Sequence, residues 1–189
     1  MIDYNRLSEQ ALVRLAQQGD RGAYEPLVLR YKELVFSMVY RAVRDFGLAE
    51  EISQEVFIKA YRALKSFRFD CKLSSWLVRI ALNAVSTHRN SKRAQQDAAT
   101  DLYSAQVGDL VVQNAEEELL AKERITFFYR CFKKLSDKFR GVVLLIAIQS
   151  ASYEDAAEIL QIPVGTVRSR LNQARLQLVR CISIHGIAQ

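Results

Sequence analysis

Apolar residues recur every third or fourth position along almost the whole chain and nowhere alternate at period two, a rhythm that predicts helices and no strands. A long helix is expected from Asp20, an N-cap following Gly19. Its Tyr24, Leu27, Val28, Tyr31, Leu34, Val35, Met38 and Val39 all fall on one stripe. The pattern breaks around Phe46-Gly47. A second helix should then run from about Glu50 to Ser66, with Ile52, Val56, Ala60, Ala63 and Leu64 inward and Glu51, Gln54, Glu55 and Lys59 outward. The stretch from Phe67 to Leu73 has no helical period. Ser74 or Ser75 is expected to cap a third helix that buries Trp76, Leu77, Ile80, Ala81, Ala84 and Val85 and ends in the basic run Arg89-Asn90-Ser91-Lys92-Arg93.

From Ala94 to Asn114 the residues turn small and polar, too poor in packing groups to hold a core, which predicts a flexible linker. Its Asp97, Asp101 and Asp109 fit a solvated spacer better than a mimic of nucleic acid. Asn114 with Glu117 resembles a capping box, opening a helix that buries Leu119, Leu120, Ile125, Phe128 and Phe132. Asp137 can cap the next, with Phe139, Val142, Val143 and Ile146 inside. The expected architecture is all-α: two small helical domains, residues 1–93 and 115–189, joined by a flexible acidic linker at 94–114.

The last third carries the most specific pattern. Ser152 with Asp155 offers an N-cap hydroxyl and an acid three residues on, followed by inward Ala156, Ala157, Ile159 and Leu160. Pro163 stops that helix and suits the first turn of another. In the second helix Val167, Leu171, Ala174 and Leu178 form a buried row, which turns Arg168, Ser169, Asn172, Gln173 and Arg175 to solvent. Val164 to Arg180 holds four arginines and no acid. A helix-turn-helix with such a face fits the major groove: arginines neutralise phosphates, and Ser, Asn and Gln bond base edges.

Charge agrees with this. The 27 Lys+Arg exceed the 21 Asp+Glu by six in 189 residues, which favours a polyanionic partner. Cys71, Cys131 and Cys181 are far apart, with only His88 and His185 to assist them, so no metal site or cofactor is expected and reduced thiols are the default. Cys71, beside Lys72 in a polar loop, is the one candidate for a redox-sensing thiol. The opening Met1-Ile2-Asp3-Tyr4-Asn5 has no basic leader, and no window approaches the ~20 apolar residues of a membrane span, so a cytoplasmic chain without membrane insertion is expected. No HExxH, GxxxxGK or GxSxG arrangement occurs, and the carboxylates form no cluster tied to a His, which argues against an enzyme.

Three blocks carry a resemblance to a known family. Gln54-Glu55-Val56-Phe57-Ile58-Lys59-Ala60-Tyr61-Arg62-Ala63-Leu64, Trp76-Leu77-Val78-Arg79-Ile80-Ala81-Leu82-Asn83 and Pro163-Val164-Gly165-Thr166-Val167-Arg168-Ser169-Arg170 resemble the bacterial extracytoplasmic-function sigma factors, above all the sigma-E envelope-stress type. They stand in the family's order and spacing, and the resemblance runs from about Ser8 to Ile182. It implies a subunit that binds core RNA polymerase, at the clamp helices of the largest subunit and the flap of the second largest, and starts transcription at chosen promoters. Glu51, Gln54 and Glu55 would dock on the clamp, Glu51 standing where the family usually has Asp. Ser169, Asn172 and Gln173 would face bases of the minus-thirty-five element, and Tyr153, Thr166 and Arg168 its phosphates. Close sigma-E relatives carry Phe and Arg at the positions of Asn172 and Gln173; since Arg prefers guanine and amides suit adenine, a changed preference is expected. Phe67 and Asn83 match the family's pocket for one flipped-out base of the minus-ten element, and Trp76 and Arg79 would support the opened strand. The loop Phe69-Asp70-Cys71-Lys72-Leu73 departs from the sigma-E pattern. The family further implies an anti-sigma partner, often a membrane protein, that holds the factor inactive. Two rivals stay open on the residues alone: a stand-alone helix-turn-helix regulator and a nuclease drawn to DNA by the same basic surface.

Overall fold

A computed structural model describes residues 3–96 and 115–184, the side chains at 5 and 92–122 excepted. The chain divides into two compact units, Met1–Asp97 and Ala98–Gln189. Every regular element among the described residues is helical.

The first unit contains α1 (Glu9–Gln17), α2 (Tyr24–Val43), α3 (Phe46–Ala63) and α4 (Leu73–Gln96). Ser8 caps α1, its hydroxyl accepting from Ala11 N at 3.3 Å. Asp20 is a cap, but of a 3-10 turn at Arg21–Ala23 rather than of α2: its carboxylate accepts from Gly22 N at 3.0 Å and from the Tyr4 hydroxyl at 2.8 Å. Arg44, at φ 58°, ends α2, and Asp45 caps α3 by accepting from Leu48 N at 2.9 Å. The second helix therefore begins at Phe46 rather than Glu50, because a carboxylate at Asp45 satisfies the first amides and Gly47 is carried inside the opening turn. α4 starts at Leu73 instead of after a serine cap. Trp76 N donates to Lys72 O at 3.1 Å, while Ser75 is buried in the first turn.

Leu27, Val35, Met38 and Val39 of α2, Ile52, Val56 and Ala60 of α3, and Leu77, Ala81 and Ala84 of α4 form the core. α2, α3 and α4 pack pairwise, and α1 lies against α2. The Tyr31 hydroxyl donates to Glu9, tying α1 to α2, and burial followed by that bond pushes its pKa up to about 12. Tyr24 donates to the Phe57 carbonyl at 2.8 Å and meets the Tyr61 ring at 4.9 Å; burial raises its pKa as well.

The expected linker lies outside the described residues from 97 onward, as does Asn114. Residues 94–96 belong to α4. The second unit begins with α5 (Ala115–Lys134), followed by α6 (Asp137–Val143), which continues as a π-turn at Leu144–Ile148, then α7 (Tyr153–Leu160) and α8 (Val164–Ile184). Leu119 and Leu120 fall among the side chains not described. Phe132, Phe139, Val142 and Val143 are buried as expected, with Leu144 and Leu145 added by the π-turn; Ile125, Phe128 and Ile146 are half-buried. Ser136 rather than Asp137 takes the cap position of α6. Asp137 instead pairs with the buried Arg140, which also donates to Leu135 O at 3.0 Å.

The expectation of reduced thiols is overturned for two of the three cysteines: Cys131 of α5 and Cys181 of α8 form a disulfide, with Cα atoms 5.9 Å apart and a sequence separation of 50. Helices packed side by side bring the two together, and linear spacing carries no trace of it. Cys71 is outside the pair, half-buried, with Arg79 Nη2 3.9 Å from its sulfur. Closing so long a loop restricts the unfolded chain, so reduction should lower the stability of the second unit by about 2–4 kcal/mol. Thermal melts with and without dithiothreitol, beside Cys181→Ser, read this; identical melts would show that the bond contributes nothing.

Candidate nucleic-acid interface

The α7–turn–α8 segment is built by local bonds. Asp155 N donates to Ser152 Oγ at 2.9 Å, and that hydroxyl donates back to Asp155 Oδ2 at 2.7 Å, fixing the start of α7. Gln161, at φ 53°, reverses the chain, and Ile162 N donates to Ala157 O at 3.1 Å. Pro163 then stands at the cap of α8, one place before its first turn, its carbonyl accepting from Thr166 N at 2.8 Å and Val167 N at 3.1 Å. Proline has no N–H to lose there.

Val167, Leu171, Ala174 and Leu178 are all buried, and α8 packs on α5, α6 and α7 along that side. The opposite face presents Arg168, Ser169, Asn172, Gln173 and Arg175, every one exposed and none acidic. The Arg168 guanidinium lies over the Tyr153 ring at 5.5 Å, which brings together two expected phosphate contacts from different helices. Thr166 is half-buried, and its carbonyl accepts from the Ser169 hydroxyl at 3.1 Å. The first amides of α8 add a partial positive charge beside these side chains.

In the first unit, the loop after α3 is held from α1. The Gln17 amide donates to Leu64 O at 3.0 Å and to Phe67 O at 2.8 Å. Phe67 is 5% exposed, its ring 5.2 Å from Trp76 and 5.0 Å from Phe69. Of the four expected minus-ten residues, Phe67 and Trp76 are thus in ring contact. Arg79, one turn along α4, is half-buried, and Asn83, a further turn on, is exposed. The outward ring in the loop is Phe69, under the Arg14 guanidinium at 5.9 Å. Lack of helical period had marked the segment as loop without saying which aromatic faces out.

On α3, Glu51 and Gln54 are exposed and Glu55 pairs with Lys59 at 2.7 Å. Ile58, 53% exposed, shares their face. Ile58 was not among the expected site residues, although an apolar residue one turn beyond Gln54 and Glu55 on an otherwise polar face is a signal legible in the sequence. Among the described residues no group of three His, Cys, Asp or Glu could hold a metal, and no helix is long and apolar enough to cross a membrane.

A capped turn, a helix with an acid-free outer face and a second helical unit place the protein among the helix-turn-helix DNA-binding proteins of transcription. Comparison with known proteins narrows this. The sigma-70 region 2 model matches residues 27–95, and the sigma-70 region 4 model matches residues 128–178. The chain is 38% identical to the ECF RNA polymerase sigma-E factor of Escherichia coli, over 90% of this chain and 92% of that protein. It is 35% identical to the RNA polymerase sigma-H factor of Pseudomonas aeruginosa, over 88% and 90%. Among solved structures, the sigma factor RpoE of Bartonella quintana, crystallised with the anti-sigma factor NepR, matches at 25% identity and a TM-score of 0.56, over 88% of this chain and 98% of that one. The chain belongs to the sigma-70 family of bacterial RNA polymerase sigma factors, in its extracytoplasmic-function branch. It is accordingly a non-enzymatic transcription initiation factor, and neither rival reading is favoured.

If Gln17 fixes the origin of the loop after α3, Gln17→Ala should cost about 1–3 kcal/mol by leaving two carbonyls without their partner. Urea unfolding measures this, and a midpoint equal to that of the parent would remove Gln17 from that role.

Proposed function

We propose that residues 1–93 bind core polymerase and the minus-ten element, that residues 115–189 read the minus-thirty-five element, and that residues 94–114 link the two. The observation that carries this reading is the acid-free outer face of α8 rising from a firmly capped turn, with Arg168 braced on Tyr153. Ser169, Asn172 and Gln173 project from that face toward bases, while Arg168, Tyr153 and Thr166 hold phosphates. Phe67, Trp76, Arg79 and Asn83 serve the opened minus-ten strand. Glu51, Gln54 and Glu55 meet the clamp helices of the largest polymerase subunit, and the second unit meets the flap of the second largest. The factor acts in the bacterial cytoplasm, in a stress or envelope response, and an anti-sigma factor, often membrane-anchored in this family, holds it inactive. The solved complex of the Bartonella quintana sigma factor RpoE with the anti-sigma factor NepR supports an anti-sigma partner.

Run-off transcription from a promoter library, with core bacterial polymerase and with or without the protein, should yield specific transcripts only when it is present. Tight duplex binding without polymerase, and no transcripts, would instead indicate a stand-alone regulator. In the same assay Gln173→Arg should shift the preferred minus-thirty-five bases toward guanine; an unchanged promoter ranking would remove Gln173 from base reading.

The docking face on α3 predicts a second outcome. Ile58→Ala should weaken capture of core polymerase about tenfold, the scale of a desolvated apolar anchor, with the melting temperature unchanged because the side chain is exposed. Equal capture would place the polymerase contact elsewhere.

A further inference from the structure

Among the described residues, four other than glycine adopt positive φ: Arg44, Phe69, Ser150 and Gln161. Arg44 and Gln161 terminate helices, and Ser150 follows the π-turn, chain reversals that impose the conformation. Phe69, at φ 60°, ends no helix. The left-handed region disfavours a bulky aromatic residue with a Cβ, whereas glycine enters it at no steric cost. Folding alone would therefore favour glycine at this position. Packing accounts for only part of the ring: it touches Phe67 at 5.0 Å yet remains 37% exposed, while Phe67 is 5% exposed and belongs to the core.

The surroundings point to what the ring meets. The exposed Arg14 places its guanidinium 5.9 Å from the ring centre. Arg68 and Lys72 are exposed in the same loop and Arg79 is half-buried behind it, against Asp70 as the loop's one acid. An exposed aromatic face set among cations suits a base with its phosphate, since stacking takes any base while the cations take the backbone. A planar guanidinium over the ring also occupies the place of a base and can yield it, turning to the phosphate that arrives with it.

We propose that Phe69 is the outward stacking platform of the minus-ten site, receiving an unpaired base of the opened non-template strand, with Arg14 exchanging its place over the ring for that nucleotide's phosphate. This rests on the reading of the loop as the minus-ten site. It assigns Phe67 a supporting position beneath the platform. The strained backbone of Phe69 is then kept for binding, and stability and binding at this residue should separate.

The experiment uses the full chain bound to core polymerase and a promoter selected by run-off, prepared with the minus-ten region already unpaired and 2-aminopurine placed at successive non-template positions. Phe69→Gly should weaken binding of this premelted DNA about 5- to 100-fold, the range for losing one stacked base. It should leave binding to the minus-thirty-five duplex unchanged and melt no lower than the parent, since glycine relieves the backbone. Phe69→Tyr, which keeps a ring, should retain binding within about twofold. Parent and Phe69→Tyr should quench 2-aminopurine at one position, and Phe69→Gly should not. Equal binding by Phe69→Gly overturns the platform, as does a parallel fall in melting temperature and in binding to both DNAs, which makes the ring structural. A parent protein that yields no specific transcript fails the sigma reading itself. A parent that transcribes, beside a Phe69→Gly variant that binds as well, fails only the role of Phe69.

Discussion

One side-chain amide sets where the loop after α3 begins. Gln17, the last residue of α1, supplies both N–H donors of a single group to two carbonyls at the close of α3, those of Leu64 and Phe67, 47 and 50 residues away in sequence. Carbonyls at a helix end have no intrahelical partner, so this contact anchors the chain as it leaves α3. It also fixes α1 in place, one turn above, where Arg14 reaches the Phe69 ring. From that origin the ring of Phe67 turns inward onto Trp76, and the following residues are left to project. α1 thus braces the loop while also burying Leu12, Val13 and Ala16 in the core of the first unit.

The second unit reaches a defined surface by the opposite route, through burial. Val167, Leu171, Ala174 and Leu178 must leave water together, and with 3.6 residues per turn that choice alone faces Arg168, Ser169, Asn172, Gln173 and Arg175 outward. The capped start of α7, the left-handed Gln161 and Pro163 then set where α8 starts, so the rotation of its outer face is fixed from both ends. The disulfide ties the far end of α8, at Cys181, to Cys131 of α5.

How much of this was legible in the sequence follows from what each feature depends on. The buried row of α8, its exposed counterpart and the Ser152–Asp155 box follow from spacing, because helix periodicity and capping act over three or four residues. The start of α3 was misread because Gly47 looks like a break, while Asp45, two residues earlier, is the group that satisfies the amides. The cysteine pair was invisible because its closeness is tertiary, spanning 50 residues. In the Phe67–Leu73 loop the family pattern singled out Phe67, whereas the exposed ring is that of Phe69, at positive φ. No residue-type pattern predicts a bulky ring at positive φ, since propensity argues against it.

On the functions proposed for them, the two surfaces call for different chemistry, and that difference bears on how an initiation factor can be selective. The outer face of α8 offers arginines and amides to a duplex, so a large share of its free energy comes from releasing counterions and falls steeply as salt rises. On the proposed assignment the loop offers its exposed ring to a single strand, an interaction available only after base pairs have opened and less sensitive to salt than phosphate contacts are. Closed duplex can satisfy the first surface and cannot satisfy the second. A chain that binds through both therefore gains the second contribution only where the DNA can be opened at low cost. That ties its choice of site to the ease of melting as well as to base identity.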